Sequence, residues 1–351
     1  MRGGEKVLAA LAKMLPRADI FTHAFASSMR DFPPEDSRWR GHRVIESFIA
    51  HLPCGRAHPQ IFLPLMPCAS RRFDLSKYDL IVSSESGPVK GIVKRPGQRH
   101  VCYCHTPMRY VWDMHDDYYA AASFAGRLAM KLWTERLRRE DLKSAESVDS
   151  FVANSRFVAE RIRRIYGRES TVVHPPVDVE FFRGEYEKKD FYLVAGELVT
   201  YKRADIALSA CLKMGRKIVV AGDGAMRTKL KREYADNAQV SFLGRIGDTE
   251  LKALYGSARA LIFPGVEDFG IVPVEAQAAG TPVIAYGAGG AMETVRPGET
   301  GLFFHSQTAD ALCGAIEEFE SRRWSADACR AAAVRFGPDR FEAEMSAVIG
   351  C

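Results

Sequence analysis

Short apolar runs recur along the second half of the chain, at residues 192–195, 217–221, 240–243, 260–263, 283–285 and 301–304. Each is strand-length and is followed by a segment with helical patterning. Strands alternating with helices in this way form a parallel sheet covered on both faces, a doubly wound α/β domain. A looser series precedes it, with strands expected at 20–22, 80–83, 100–104, 148–154 and 171–174. Pro175-Pro176 lies between the two series and marks the expected hinge. The expected domains are 1–175 and 176–335, facing each other across a cleft. The segment 336–351, a last helix, is expected to pack back on the first domain.

Less regular segments lie between these strands. Arg2-Gly3-Gly4-Glu5-Lys6 opens a helix with Val7, Leu8, Leu11, Met14 and Leu15 on one face. Gly3 and Gly4 are either a backbone loop able to approach a phosphate or a flexible terminus. A polar, proline-bearing loop follows Thr22. Residues 44–52 read as a helix and 60–65 as an extended segment, and Ser155 is placed to cap a helix. Residues 124–145 form a long helix in which Arg127, Lys131, Arg136, Arg138 and Arg139 stand beside Leu128, Leu132, Trp133 and Leu137. Such a helix either caps a core with its apolar side or offers a face to anionic lipid headgroups.

The chemistry concentrates at strand ends. Residues 264–280 read PGVEDFGIVPVEAQAAG, a loop bearing Glu267 and then a helix holding Glu275. Loops at the carboxyl ends of parallel strands are where open α/β sheets bind ligands. Carboxylates there need polar partners, and sugar or ribose hydroxyls, which donate hydrogen bonds in pairs, supply them. Lys202 and Arg203 lie beyond another strand end, where cations suit a diphosphate. His105 follows a strand directly and is either a donor to a substrate hydroxyl or a histidine satisfied by local backbone. Gly222-Asp223-Gly224 reads as a tight strand-to-helix turn, and Asp113, Asp116 and Asp117 as solvated loop acids.

Composition narrows the partners. A net charge of +5 over 351 residues does not call for nucleic acid. The eight cysteines show no zinc-ligand spacing, and scattered thiols fit a reduced, cytoplasmic setting. Contact with the inner face of the cell membrane would be peripheral.

The run from Glu267 to Ala276 resembles the Glu-x7-Glu signature of glycosyltransferase family 4, retaining enzymes of the two-Rossmann GT-B fold. Gly3-Gly4-Glu5-Lys6-Val7 resembles that family's first glycine loop and helix. Residues 78–84 and His105-Thr106-Pro107-Met108-Arg109-Tyr110 resemble its acceptor-domain motifs. Tyr201-Lys202-Arg203, Gly222-Asp223-Gly224 and Phe242-Leu243-Gly244-Arg245 resemble its donor-domain motifs. The His-Thr-Pro-Met-Arg-Tyr form is similar to bacterial mannosyltransferases of O-antigen and exopolysaccharide assembly.

The resemblance implies donor-binding roles for Lys202, Arg203, Gly222, Arg245, Asp268, Phe269, Gly270 and Glu275, with Glu275 on the ribose. It implies that Glu267 and His105 contact the transferred sugar, and that Gly3 and Gly4 form the phosphate or acceptor loop. The implied donor is a nucleotide-sugar, GDP-mannose first, and the implied acceptor a polyprenyl-linked or oligosaccharide chain. Fixed cations and helix dipoles would serve in place of a metal ion. Glu197 stands where many members carry an arginine that contacts the diphosphate, and the family's first strand is not evident before Gly3. The expectation is an N-terminal sheet lacking that strand, from an internal start or a truncated gene. A nucleotide-sugar epimerase of the same fold and an inactive sugar-nucleotide-binding relative are the alternatives.

Overall fold

The computed structural model describes residues 3–25, 41–234 and 236–350. Met1, Arg2 and most of the proline-bearing loop after Thr22 lie outside these. Two compact units are present, one made of residues 1–174 and 342–351, the other of residues 175–341.

The second unit is built on strands β7 (Tyr192–Ala195), β8 (Ile218–Ala221), β9 (Val240–Gly244), β10 (Ala260–Phe263), β11 (Val283–Tyr286) and β12 (Gly301–Phe304). They form one parallel sheet in the order β12-β11-β10-β7-β8-β9. Side-chain alternation along each strand fills two cores. Tyr192, Val194, Val220 and Ile262 pack on one face, Leu193, Ala195, Leu261 and Phe263 on the other. The strand order reverses between β7 and β10, and the crevice at such a switch point is where a doubly wound sheet holds its ligand.

In the first unit, β3 (Leu80–Glu85), β4 (Arg99–Cys104), β5 (Ser150–Ala153) and β6 (Ser170–Val172) form a parallel sheet in sequence order. A separate pair, β1 (Ile20–Thr22) and β2 (Val44–Glu46), is also parallel. Among the described residues no strand joins the two sheets. The helix Pro338–Ile349 ends in this unit: Lys13 Nζ lies 2.8 Å from Glu342, and the Arg99 guanidinium donates to the carbonyls of Val348 and Ile349 at 2.5 and 3.1 Å. A cation there complements the negative end of a helix.

Two expected elements are corrected. Residues 44–52 are not a helix: Val44–Glu46 is a strand, because β-branched Val44 and Ile45 find a pairing edge on β1. Ser47 then accepts from the Ile49 N–H and starts a short 3₁₀ turn. Residues 60–65 are not extended. Pro59 opens a 3₁₀ segment, Pro59–Leu65, and Pro67 sits at the start of the helix Met66–Arg71, where its missing N–H costs nothing.

Candidate active site

Adjacency of β7 and β10 brings the loops after them together. Lys202 Nζ lies 3.0 Å from Glu267 Oε1. The loops touch at Gly265, where a Cβ would stand 2.6 Å from the Lys202 Cα, so only glycine permits the approach. A third loop supports Glu267 from behind. The Gly290 N–H donates to the Glu267 carbonyl at 2.8 Å, and a Cβ on Gly290 would fall 2.2 Å from the Phe269 Cα. Asp268 and Phe269 are buried, and Gly270, at φ 86°, turns the chain into the helix Ile271–Ala278. One turn along, Glu275 is buried with its Oε2 accepting from the Tyr255 hydroxyl at 3.0 Å. Burial, reinforced by the Glu275 charge, holds the Tyr255 phenol well above its ordinary pKa. It therefore stays a donor at any working pH.

Lys202 is a firm cation. Burial lowers its pKa, but Glu267, Tyr201 and Glu197 together raise it by more. Arg203 does not join it. The Arg203 backbone sits in the left-handed region at φ 53°, and its guanidinium is held by Asp205, with Nη2 to Oδ2 at 3.0 Å. It lines a cavity of about 490 Å³ together with Thr200, Ser209, Lys229 and Tyr234. Gly222 donates its N–H to the Gly244 carbonyl at 2.8 Å, tying the ends of β8 and β9, and Arg245 follows, exposed.

In the first unit His105 is held on all sides. Its N–H donates to the Glu85 carbonyl at 2.8 Å, its carbonyl accepts from Asn154 Nδ2 at 2.9 Å, and Nε2 shares a hydrogen bond with Ser84 Oγ at 2.9 Å. Gly4, in the first turn of the helix Gly3–Met14, lies against it: a Cβ on Gly4 would stand 3.4 Å from His105 Nε2. Burial lowers the His105 pKa to about 4, so the ring is neutral near pH 7 and works as a hydrogen-bonding group. The neighbouring Thr106 accepts from Arg161 Nη1 at 2.6 Å. Asp113 is corrected here: it is not a solvated acid but the shared partner of Arg161 and Arg164, each at 2.5 Å. Asp116 is fully exposed.

Sequence reasoning missed Tyr255, Arg161 and the Gly289-Gly290 turn. The run Gly287-Ala288-Gly289-Gly290, directly after a strand, was the available signal for the last. It also missed a buried charge cluster, Glu85, Lys90 and Asp141, at the end of β3. Among the described residues no cluster of His, Cys, Asp or Glu is placed to hold a metal ion.

Burial also depresses His23 and His100 to about 4. In the unfolded chain these rings and His105 take up protons near pH 6.5, and in the folded one only near 4. Their neutral burial is thus tolerated fully above pH 6.5, and stability is lost as pH falls from there toward 4. The urea midpoint should fall steadily between about pH 7 and about pH 5, and a midpoint flat across that interval would contradict the assignment.

Residues 1–181 match the model described as Glycosyltransferase Family 4, and residues 178–335 that of Glycosyl transferases group 1. The chain belongs to glycosyltransferase family 4. This family-4 chain is 34% identical over 197 residues to the D-inositol 3-phosphate glycosyltransferases of Mycobacterium tuberculosis H37Rv and Mycobacterium bovis BCG Pasteur. The match covers 48% of this chain and spans 41% of the length of those relatives. Among solved structures it is similar to Anabaena Alr3699/HepE in complex with UDP and glucose, with a TM-score of 0.73 at 18% identity over 99% of this chain and 96% of that one. The apo form of the lipopolysaccharide outer core galactosyltransferase WaaB gives a TM-score of 0.66 at 15% identity, over 100% and 96%. These likenesses are of fold, and they give the expected GT-B class with Rossmann-like units.

Proposed function

We propose that the protein is a retaining glycosyltransferase that takes a hexosyl group from a nucleotide-sugar. The observation that carries this is Lys202 paired with Glu267 at the switch point of the second sheet, with Glu275 one turn into the following helix. Lys202 neutralises the departing diphosphate, where negative charge develops. Glu275, oriented by Tyr255, accepts from the ribose hydroxyls. Glu267 and the backbone of residues 268–270 bind the transferred sugar, and Gly222 and Arg245 border the donor. His105, with Gly4 against its ring, serves the sugar, and Gly3 and Gly4 the phosphate or acceptor. Arg203 is proposed only to support the loop, since Asp205 engages it.

GDP-mannose is the first donor to test, on the strength of the His-Thr-Pro-Met-Arg-Tyr resemblance, and a polyprenyl-linked or oligosaccharide chain the first acceptor. No resident metal is required on this proposal, so chelator should leave turnover intact. A ligand that binds only the folded state raises its unfolding temperature. In a panel of GDP-, UDP- and ADP-sugars one class should raise it by several degrees, and that class should release nucleoside diphosphate when acceptor is added. A shift only with UDP-sugars would replace GDP-mannose; HepE is solved in complex with UDP-glucose. No shift with any donor would overturn the transferase proposal.

A further inference from the structure

The helix Phe124–Glu146 turns an apolar stripe to solvent. Phe124, Leu128 and Leu132 stand at successive four-residue steps, on one face, and are 86%, 52% and 68% exposed. The fold does not need them there. The helix is held by its opposite face, where Thr134, Leu137, Asp141 and Ala145 are buried and Trp133 packs with Leu137 against Met108 and Val111. The adjoining segment Pro59–Leu65 packs on the same cluster through Leu63 and exposes Ile61 and Leu65.

Cations flank the stripe. Lys131, Arg136, Arg139 and Lys143 are exposed, and the first acid of the helix is Glu135, whose carboxylate is 2.7 Å from Arg138. Arg127 is engaged otherwise, donating to the carbonyls of Tyr119, Ala120 and Ala122. An apolar row edged by basic side chains is the pattern of a helix lying in a membrane interface, its apolar side among the acyl chains and its cations at anionic headgroups.

We propose that this face docks the protein peripherally on an anionic lipid surface. No helix among the described residues is long and apolar enough to cross a membrane, so the attachment proposed is interfacial. Charge complementarity selects the lipid over a second copy of the chain. Self-pairing of this face would bring the exposed cations Lys131, Arg136, Arg139 and Lys143 of two copies near one another, a like-charge cost that an anionic surface does not carry. The inference is independent of which donor the second unit binds.

The test is co-flotation of the 351-residue chain with vesicles of phosphatidylcholine alone or with about 40 mol% phosphatidylglycerol, at low and high salt. The expected result is recruitment to the anionic vesicles, weakened by salt. Both Leu128→Ser/Leu132→Ser and Lys131→Glu/Arg139→Glu should reduce it about tenfold or more. Since these residues are exposed, unfolding temperature should be unchanged in each variant, and the two variant pairs control for each other. No recruitment to anionic vesicles, or recruitment unaltered in both, would overturn the proposal. So would light scattering showing a dimer broken by Leu128→Ser/Leu132→Ser without vesicle binding, which would make the face a homodimer contact.

Discussion

Replacing Lys202 by alanine should slow nucleoside diphosphate release by about 10²–10³, the scale of losing one preorganised charge at a developing anion. Lys202 is the cation that the fold places at the switch point. Arg203 is turned to Asp205, and Glu197 contributes a negative field where an arginine is common in the family. The substitution also leaves Glu267 without its ion partner at 3.0 Å, so an incoming diphosphate meets repulsion from Glu267 and Glu197. Donor affinity should therefore fall together with kcat. Both side chains are only about one-fifth exposed, so stranding Glu267 should also lower stability, by about 1–3 kcal/mol. Lys202→Arg should recover part of the rate, limited by a planar fork that cannot reproduce a point charge. Steady-state kinetics decide the matter. A rate within about threefold of the parent would remove Lys202 from the reaction.

The strands of the second unit were legible because each is a short apolar run bounded by turn residues, and a strand buried on both faces has few other ways to look. Lys202 and Glu267 can be placed beyond strand ends from the sequence, because each follows such a run within a few residues, and the structure sets them 3.0 Å apart. What failed was local geometry decided by partners elsewhere. Val44 and Ile45 are helical on spacing alone, and β1 decides that they pair as a strand. Pro59 and Pro67 would break a ladder in extended chain but are accepted at successive helix starts. Ion pairs were the least legible. Asp113 meets Arg161 and Arg164 far along the chain, and nothing in the spacing distinguishes them from solvated charges. Arg203 shows the same limit at short range: nothing in the spacing reveals its left-handed backbone at φ 53° or its ion pair with Asp205.

Lys90→Met should destabilise the protein by about 3–5 kcal/mol, the cost of stripping one partner from a buried ion pair. Lys90 is fully buried, with Glu85 Oε1 at 2.8 Å, Asp141 in contact and the Tyr166 hydroxyl at 3.2 Å. Burial alone would push its pKa down. The fields of Glu85, Tyr166 and Asp141 more than reverse this, so the ammonium persists at any working pH. Burial pushes the Glu85 pKa up, with Lys90 opposing it. Removing Lys90 takes that opposition away and leaves two buried carboxyl groups facing each other. The penalty then falls on their charged forms. A carboxyl whose folded pKa is raised is costly above that pKa and harmless once protonated. The stability lost by Lys90→Met relative to the parent should therefore be largest near pH 8 and shrink toward pH 5, and Glu85→Gln/Lys90→Met should recover part of it. Glu85 also accepts the His105 N–H through its carbonyl, and Trp112 donates to Asp141 at 2.8 Å. The cluster thus fixes His105 and the aromatic segment together, and kcat should drop in the variant even where it remains folded. Urea unfolding of parent, single and double variants across pH measures this. A loss below about 1 kcal/mol at every pH would show that water or repacking compensates the carboxylates.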